Sequence, residues 1–253
     1  MSGSETQPST RVVRTVGAFA LPLGVIAGLI GLAGGWVVAV VLFVVVAAIS
    51  AAWARFGGDR RVVAAVDGQP PDPVRHARLI NLVEGLSASA GIRVPVLRVL
   101  DQPGLNAMAA GLRRDRALVV VTEGLLQELT RIELEGVLAE VAVQIRRGDT
   151  VPLTVLAATW GWGARFAVPA NRDATADQLA TSLTRYPPGL EAALAKMAAR
   201  GTVITGLSRG LSQLWLADPV APRPADGPAW AGRVAAHIGR LPLPERVEAL
   251  REL

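Results

Sequence analysis

The first place where this sequence suggests chemistry is a pair of polar side chains one helical turn apart. Glu140 and Gln144 are separated by four residues, so on a helix both point to the same side. Asp177, further along the chain, is a third oxygen-bearing side chain. Three such groups with waters can hold Mg²⁺ or Ca²⁺ weakly, although sites for these ions usually gather more carboxylates. The pattern favours a solvated or hydrogen-bonded pair over an ion site.

The helix that carries this pair has clear signals at both ends. Thr130 with Glu133 three residues later forms a capping box, and Gly148 is a typical C-terminal signal. Apolar residues recur between them at steps of three and four, namely Leu134, Val137, Leu138, Val141 and Ile145. The spacing therefore predicts an amphipathic helix over residues 130–149 that is central to a folded domain.

This stretch resembles the active-site helix of the HtpX-like membrane zinc metallopeptidases, relatives of the CAAX prenyl endopeptidases, in which the pattern is ELEGVLAHExxHI-x-x-x-D. The matching residues lie on both sides of the motif, at 133–139, at Ile145 and at Asp149. Other segments that resemble the family are 106–109, 121–126, 214–219 and 243–250. The resemblance covers residues 53–253 and implies a shared fold.

In the resembled family, two histidines at i and i+4 bind zinc, and the glutamate after the first one activates the zinc-bound water. The resemblance puts the histidine positions on Glu140 and Gln144 and the glutamate position on Val141. It puts the third ligand on Thr175, next to Ala176 and Asp177. All four positions are replaced, so we expect no catalytic residue, no bound metal and no cofactor. If the true ligands lie elsewhere in the chain, zinc is the expected cofactor.

Other residue types that could do chemistry are scarce. The chain has no cysteine, which excludes disulfides and thiolate sites, and its only imidazoles are His76 and His237. His76 precedes the region that forms the zinc site in the resembled family, and His237 lies near, but not at, the family's closing His-Pro position, where this chain carries Arg240 or Leu241. Neither histidine has a second one nearby to complete a transition-metal site. A serine-hydrolase motif is also missing.

Composition indicates that part of the chain contacts lipid. Hydrophobic residues make up 51% of the chain, and the mean hydropathy is +0.38. The net charge of +5 comes almost wholly from arginine, because Lys196 is the only lysine. No basic run is interleaved with stacking aromatic residues, so nucleic acid is not an expected partner.

Two apolar runs near the N-terminus, 16–32 and 36–53, each approach the roughly 17–25 residues that cross a bilayer as a helix. Only residues 33–35 separate them, which favours a transmembrane hairpin over a cleaved signal peptide. Arginines flank the hairpin at both ends, at positions 11, 14, 55, 60 and 61. By the positive-inside rule both ends are cytoplasmic. We expect a multi-pass protein of the plasma or inner membrane with a cytoplasmic globular domain.

The expected fold class is α+β, with this hairpin followed by a mainly helical, peptidase-like domain and a small β-sheet. Residues 1–10 are expected to be a disordered tail, 11–56 the hairpin, 57–73 a linker and 74–253 the domain. Strands are predicted over 96–100 and 117–122, and a helix over 74–90. The apolar stretch 151–168 is expected to skim the membrane or to pack against the domain.

A domain of this kind without zinc can still bind a peptide. In the resembled family, substrate adds to the edge strand before the active-site helix, which here is 117–122 with the 106–109 loop across the cleft. The alternative is a plain buried strand. The candidate peptide-binding residues are Asn106, Ala107, Met108, Val119, Val120 and Val121.

These observations lead to three functional hypotheses. The first is a pseudopeptidase that binds or regulates another membrane protein or a peptide segment. The second is an active zinc endopeptidase in membrane-protein quality control. The third is a structural subunit of a membrane complex, and side chains that fill the cleft beside Glu140 would favour it over the first.

Overall fold

The two N-terminal helices form a closely packed hairpin. The computed structural model describes residues 8–66, 68–111, 114–158, 172–207, 209–220 and 240–252, with α1 over Pro8–Gly31 and α2 over Trp36–Ala65. Glycines of α1 face α2, and a Cβ added to Gly31 would lie 2.7 Å from the Cα of Ala39. The short side chains therefore allow the two backbones to approach, as in membrane helix pairs.

Both ends of the hairpin extend beyond their predicted limits. Helix α1 begins at Pro8, inside the predicted disordered tail, because proline fits the first turn of a helix. Helix α2 continues to Ala65 through most of the polar part of the predicted linker. Intrinsic helix propensity is a weak guide here. The free-energy cost of placing Gly57 and Gly58 in a helix is smaller than the stability that a long helix gains from its length and its packing.

The surface of the hairpin is apolar. Trp36 is 75% exposed, Ile30 is 70% exposed, and many Leu, Ile and Val side chains around them are also exposed. Among the residues that the structure describes, no helix combines the length and the hydropathy required to cross a bilayer. The predicted hairpin is present, but the prediction that it crosses the membrane is not confirmed.

Within the described residues, the sheet has three strands in the order β1-β3-β2. Strand β1 (Val96–Leu100) pairs in parallel with β3 (Leu118–Thr122), and β2 (Ala107–Ala110) pairs antiparallel with the other side of β3. The two predicted strands are confirmed within one residue. The prediction that 117–122 is an edge strand is wrong, because the segment predicted as a loop at 106–109 forms β2 and covers that edge.

The outer edge of β1 is protected by the chain that enters the domain. Gln69 pairs with Val99 through two backbone hydrogen bonds of 2.8 Å. Pro70 and Pro71 follow, and proline has no N–H to continue a ladder. The pairing between Gln69 and β1 therefore ends after one bridge, and no further strand is added at this edge of the sheet by the entering chain.

Helix α5 (Arg131–Arg147) is the central helix of the domain, as predicted. Its capping box at Thr130 and Glu133 is complete, and Gly148 ends it in the left-handed conformation with φ 76°. The predicted apolar stripe lies in the hydrophobic core. The remaining helices are α3 (Ala77–Ala90), α4 (Glu123–Glu128), α6 (Thr150–Ala158), α7 (Arg172–Thr184), α8 (Pro187–Arg200) and α9 (Leu243–Arg251).

Four elements pack around α5, namely α3, β2, α7 and α8. Gly136 allows the closest approach, since a Cβ there would lie 2.7 Å from the backbone nitrogen of Leu190 on α8. Helix α6 packs against β2 and against both hairpin helices, which joins the hairpin to the domain. This contact agrees with domain packing for the first part of 151–168; residues 159–171 lie outside the described residues.

Candidate functional site

The polar pair of α5 is present and buried. Glu140 is 0% exposed and Gln144 is 4% exposed. The Gln144 amide donates from Nε2 to Glu140 Oε1 at 3.2 Å. The expected i,i+4 hydrogen bond is therefore present, but the pair lies inside the protein rather than on a solvated face.

Arg246 of α9 contacts this pair. Its Nη2 donates to Glu140 Oε2 at 2.6 Å and to Asp177 Oδ1 at 2.5 Å, and its Nε donates to Asp177 Oδ2 at 2.8 Å. The guanidinium thus holds Asp177 of α7 with two nitrogens and Glu140 of α5 with one of them. Such forked contacts are the strong form of a charge-assisted hydrogen bond.

A second ion pair adjoins the first on α7. Arg172 donates from Nε to Asp173 Oδ1 at 2.9 Å, and the other carboxylate oxygen accepts the backbone N–H of Leu241 at 3.0 Å. Burial alone would raise the pKa of Asp173, but the neighbouring guanidinium groups, Arg172 first, outweigh burial and hold the pKa below its usual range. Asp173 is therefore ionised throughout the physiological range.

Among the described residues, this buried charge cluster contains three carboxyl groups and three guanidinium groups. Its members are Glu140, Asp173 and Asp177, and Arg172, Arg240 and Arg246. Burial raises the pKa of Glu140 to about 8, an effect that Arg246 opposes and that the negative charges of Asp177 and Asp173 reinforce. For Arg246, the two contacting carboxylates outweigh burial and raise the pKa, so the guanidinium stays charged.

The arginines of the cluster also hold a segment of chain, 212–217, which we call the cover segment. Arg240 donates to the backbone oxygens of Ser212, at 2.9 Å, and of Trp215. Arg246 donates from Nη1 to the oxygen of Leu216 at 3.1 Å. The cover segment lies along β2, because Leu216 N donates to the oxygen of Ala107 at 2.8 Å and Trp215 bridges to Met108.

The predicted peptide-binding residues lie beneath this cover. All six are at most 1% exposed: Asn106, Ala107, Met108, Val119, Val120 and Val121. The Asn106 amide donates to the oxygens of Thr202 and Ala217 at 3.1 and 3.0 Å and accepts the N–H of Ala217 at 3.2 Å. Asn106 thus ties loops together, and in this structure neither side of β3 is open to an added strand.

The other two positions given by the resemblance, Val141 and Thr175, differ in their exposure to solvent. Val141, at the general-base position, is buried in the apolar core, where a valine side chain cannot take up a proton from water. Thr175 is partly exposed, whereas Asp173 and Asp177, one turn apart on the same helix, are buried in the charge cluster. The carboxylates that α7 brings to α5 are therefore those at 173 and 177.

His76 does not lie in the charge cluster. The Nδ1 of His76 accepts the backbone N–H of Asp72 at 2.9 Å, and its Nε2 lies 3.2 Å from Glu123 Oε2, so it links the start of α3 to α4. His237 lies outside the described residues. Within the described part of the chain, no group of three or more His, Cys, Asp or Glu side chains is arranged to hold a metal ion. The donor set around Glu140 also fits zinc poorly, because a guanidinium cation already occupies the space between its carboxylates.

Most members of the cluster were not predicted from the sequence, namely Arg172, Asp173, Arg240 and Arg246. The spacing of Asp173 and Asp177 repeats the i,i+4 step of Glu140 and Gln144 and was a usable signal. A buried carboxylate also requires a cation, and arginine is nearly the only cation in this chain. The neighbouring sequence does not predict which arginine contacts Glu140, because Arg246 is 106 residues away along the chain.

Comparison with known proteins finds similarity to a family of peptidases. Residues 73–142 match the profile of peptidase family M48. A protease HtpX homologue of Dictyoglomus turgidum is 30% identical over 193 residues, which are 60% of this chain and 64% of the relative. Protease HtpX of an Enterobacter species is 41% identical over 88 residues, which are 35% of this chain and 30% of the relative. The chain thus spans less than two thirds of these curated relatives. Over the matched region the chain is similar to peptidase family M48 and to its HtpX proteases.

Proposed function

We propose that this protein is a non-cleaving HtpX-like peptidase homologue that serves as a binding, regulatory or structural subunit of a membrane protein complex. One observation carries the proposal. The guanidinium of Arg246 lies between Glu140 and Asp177, in the space where a catalytic metal would have to bind. With a guanidinium in this position, Glu140 and Asp177 are engaged by Arg246 rather than free to ligate a metal that would act as a Lewis acid.

The surroundings of Glu140 support the same conclusion. The position next to it is Val141, which packs in the apolar core and has no group that can take up a proton. The cover segment takes the outer edge of β2, where an extended peptide would add main-chain hydrogen bonds. Among the three classes of subunit, these contacts favour a structural role, or binding through a surface other than the old cleft.

We also propose that the hairpin associates with the cell membrane and leaves the domain in the cytoplasm. Its exposed side chains are apolar over a continuous surface that includes Leu29, Ile30 and Trp36. Surfaces of this kind on single proteins mark membrane or protein contacts. The flanking arginines favour a cytoplasmic position for both ends.

The first test is zinc content and proteolysis of the full-length, untagged protein in detergent. We expect no stoichiometric zinc and no cleavage of an unfolded substrate such as casein, with or without added zinc. The matched control is Glu140→Gln, prepared in the same way, which reports cleavage by contaminants. Near one zinc per chain, with chelator-sensitive cleavage that the variant lacks, would restore the active-peptidase hypothesis.

A second experiment addresses the role as a subunit. Size analysis of the gently extracted protein is expected to give a complex larger than one chain in detergent. Replacing Leu29 and Ile30 by asparagine should dissociate that complex if the hairpin forms the interface, whereas Glu248→Gln on the exposed part of α9 should not. A wild-type protein that migrates as a single chain would contradict the subunit role.

A further inference from the structure

A surface cleft of the domain lies where α5 begins and where α7 turns into α8. It has a volume of about 180 Å³ and is lined by Ile132, Glu135, Gly136, Thr184 and Tyr186. The three residues from α5 share one face of that helix, because they are three and four positions apart. Sites for small molecules usually measure roughly 300–1,000 Å³, so a cleft of this size fits one amino-acid side chain rather than a whole ligand.

Two large side chains of this cleft are exposed and pack against Gly189. Ile132 is 55% exposed and Tyr186 is 52% exposed. A Cβ added to Gly189 would lie 3.0 Å from Cγ2 of Ile132 and 3.4 Å from Cδ1 of Tyr186. The residue before Tyr186 is Arg185, whose backbone is left-handed with φ 56°, a conformation that is uncommon for a residue with a side chain. The turn between α7 and α8 thus holds the aromatic ring beside Ile132.

The carboxylate of Glu135 gives the cleft a charge without a partner among the described residues. Glu133, two residues earlier, pairs with Lys196 at 2.8 Å. Glu128 of α4 pairs with Arg200 at 3.5 Å. No described arginine, lysine or histidine forms such a pair with Glu135, which is half-buried in the lining. A carboxylate beside an exposed aromatic ring and an apolar side chain is suited to an organic cation.

We propose that this cleft binds an arginine side chain of a partner polypeptide. The aliphatic part of an arginine packs against an apolar group such as Ile132, and its planar guanidinium stacks on the ring of Tyr186. The guanidinium N–H groups then donate to the Glu135 carboxylate. Arg131 and Arg185 adjoin the cleft in the chain but do not line it. The proposal rests on the proposed function as a subunit and assigns to its partner a surface that includes no residue of the charge cluster or the cover segment.

The chain contains one tyrosine, which lies in this cleft and allows a direct test. Full-length protein that carries meta-fluorotyrosine gives one fluorine resonance, which reports on Tyr186, in non-ionic detergent. The probe is the capped peptide Ala-Ala-Arg-Ala-Ala, and its citrulline counterpart keeps the shape of the side chain but not its charge. We expect a saturable shift with the arginine peptide and about tenfold weaker binding of the citrulline peptide, because the charge-assisted pair is lost.

Two variants separate the charge of the cleft from the net charge of the protein. Glu135→Gln removes the charge of the cleft with little change in shape, whereas Glu84→Gln removes an exposed carboxylate of α3 outside the cleft. We expect Glu135→Gln to weaken binding of the arginine peptide by about tenfold and to leave binding of the citrulline peptide unchanged. Glu84→Gln should leave both unchanged.

Several results would overturn the proposal. Equal shifts with the arginine and citrulline peptides, including no shift with either, would do so, as would equal binding by Glu135→Gln and Glu84→Gln. Tighter binding of Ala-Ala-Glu-Ala-Ala would assign the cleft to an acidic segment held by Arg131 and Arg185. A fluorine shift that depends on protein concentration alone would replace the separate partner by a second copy of this chain. Zinc-dependent proteolysis by the wild type would refute the proposed function without changing the peptide titration, so the two can fail separately.

Discussion

The N-terminal hairpin and the peptidase-like domain place their polar and apolar groups in opposite ways. The domain buries the charge cluster around Arg246, whereas the hairpin exposes Ile30 and Trp36. In the domain, each buried charge is tolerated because an opposite charge contacts it. In the hairpin, exposed apolar groups are tolerable only where water is excluded by lipid or by a partner. This difference between the two regions is the one that the proposed membrane association of the hairpin would produce.

The largest effect is expected inside the domain. Asp177→Ala removes the two-nitrogen contact and leaves Arg246 with only Glu140 as a carboxylate partner, which should cost about 3–5 kcal/mol of unfolding free energy. Denaturant unfolding of the full-length protein measures the change. Glu191→Ala, which removes a carboxylate from a more exposed ion pair, is the control. Equal losses in the two variants would remove the distinction between buried and exposed charge.

The pH dependence of stability should report the same cluster. The pKa of Glu140 in the folded protein is about 8, above its ordinary value of 4.5. The stability that the protonated Glu140 side chain contributes is therefore complete below pH 4.5 and is lost as pH rises through 8. The free energy of unfolding should therefore fall across this window, with a slope set by one proton, or somewhat over 1 kcal/mol per pH unit.

Glu140→Gln cannot titrate and should flatten this slope. The groups that face Glu140 are Gln144, Arg246, Asp173 and Asp177. The other described carboxyls with a resolved shift, Asp72, Glu133 and Asp173, have pKa values below their ordinary range, so they contribute to the pH dependence below this window rather than within it. An unchanged slope in Glu140→Gln would assign the titration to another residue.

A smaller effect is expected between the hairpin helices. Gly31→Ala adds a methyl group 2.7 Å from the Cα of Ala39 and should cost about 1–3 kcal/mol through overpacking. Gly85→Ala in α3, where the added methyl group meets nothing within 4 Å, should stabilise the protein by about 0.5–1 kcal/mol. Thermal unfolding of both variants gives the comparison. The same sign in both would mean that the hairpin does not pack as described.

The smallest change in stability is expected on the outer surface of the hairpin. Ile30→Asn, at a position that is 70% exposed, should change the unfolding free energy by no more than about 0.5 kcal/mol. It should nevertheless weaken flotation of the protein with lipid vesicles. Val74→Asn, on the exposed surface of the domain, should leave flotation unchanged. Equal flotation of the two variants and the wild type would argue against lipid contact through this surface.

The sequence predicted best what short-range rules determine. The limits of α5 followed from Thr130, Glu133 and Gly148, because capping groups act within one turn of a helix end. The fold class and the Glu140–Gln144 pair followed from periodicity in the same way. The predicted strands were found because they are continuous runs of β-branched and apolar residues.

What the sequence did not predict depends on long-range pairing. Strand β3 is central because residues 107–110 form a strand beside it. This segment contains three alanines, so its strand propensity is weak, and it forms a strand because it is buried against β3. Arg246 reaches Glu140 across 106 residues, a separation that no periodic pattern covers. The resemblance gives Thr175 as the third-ligand position, and the burial of Asp173 and Asp177, two residues to either side of it, could not be inferred from that position.

Both outer edges of the small sheet are occupied within the described residues, β1 by Gln69 before two prolines and β2 by the cover segment. The sheet therefore cannot recruit a strand, either from a client protein or from a second copy of this chain, without first losing one of its own. Recognition of the proposed partner would then depend on side chains rather than on main-chain hydrogen bonds. Such recognition is selective for the sequence of the partner, whereas strand addition tolerates almost any extended chain.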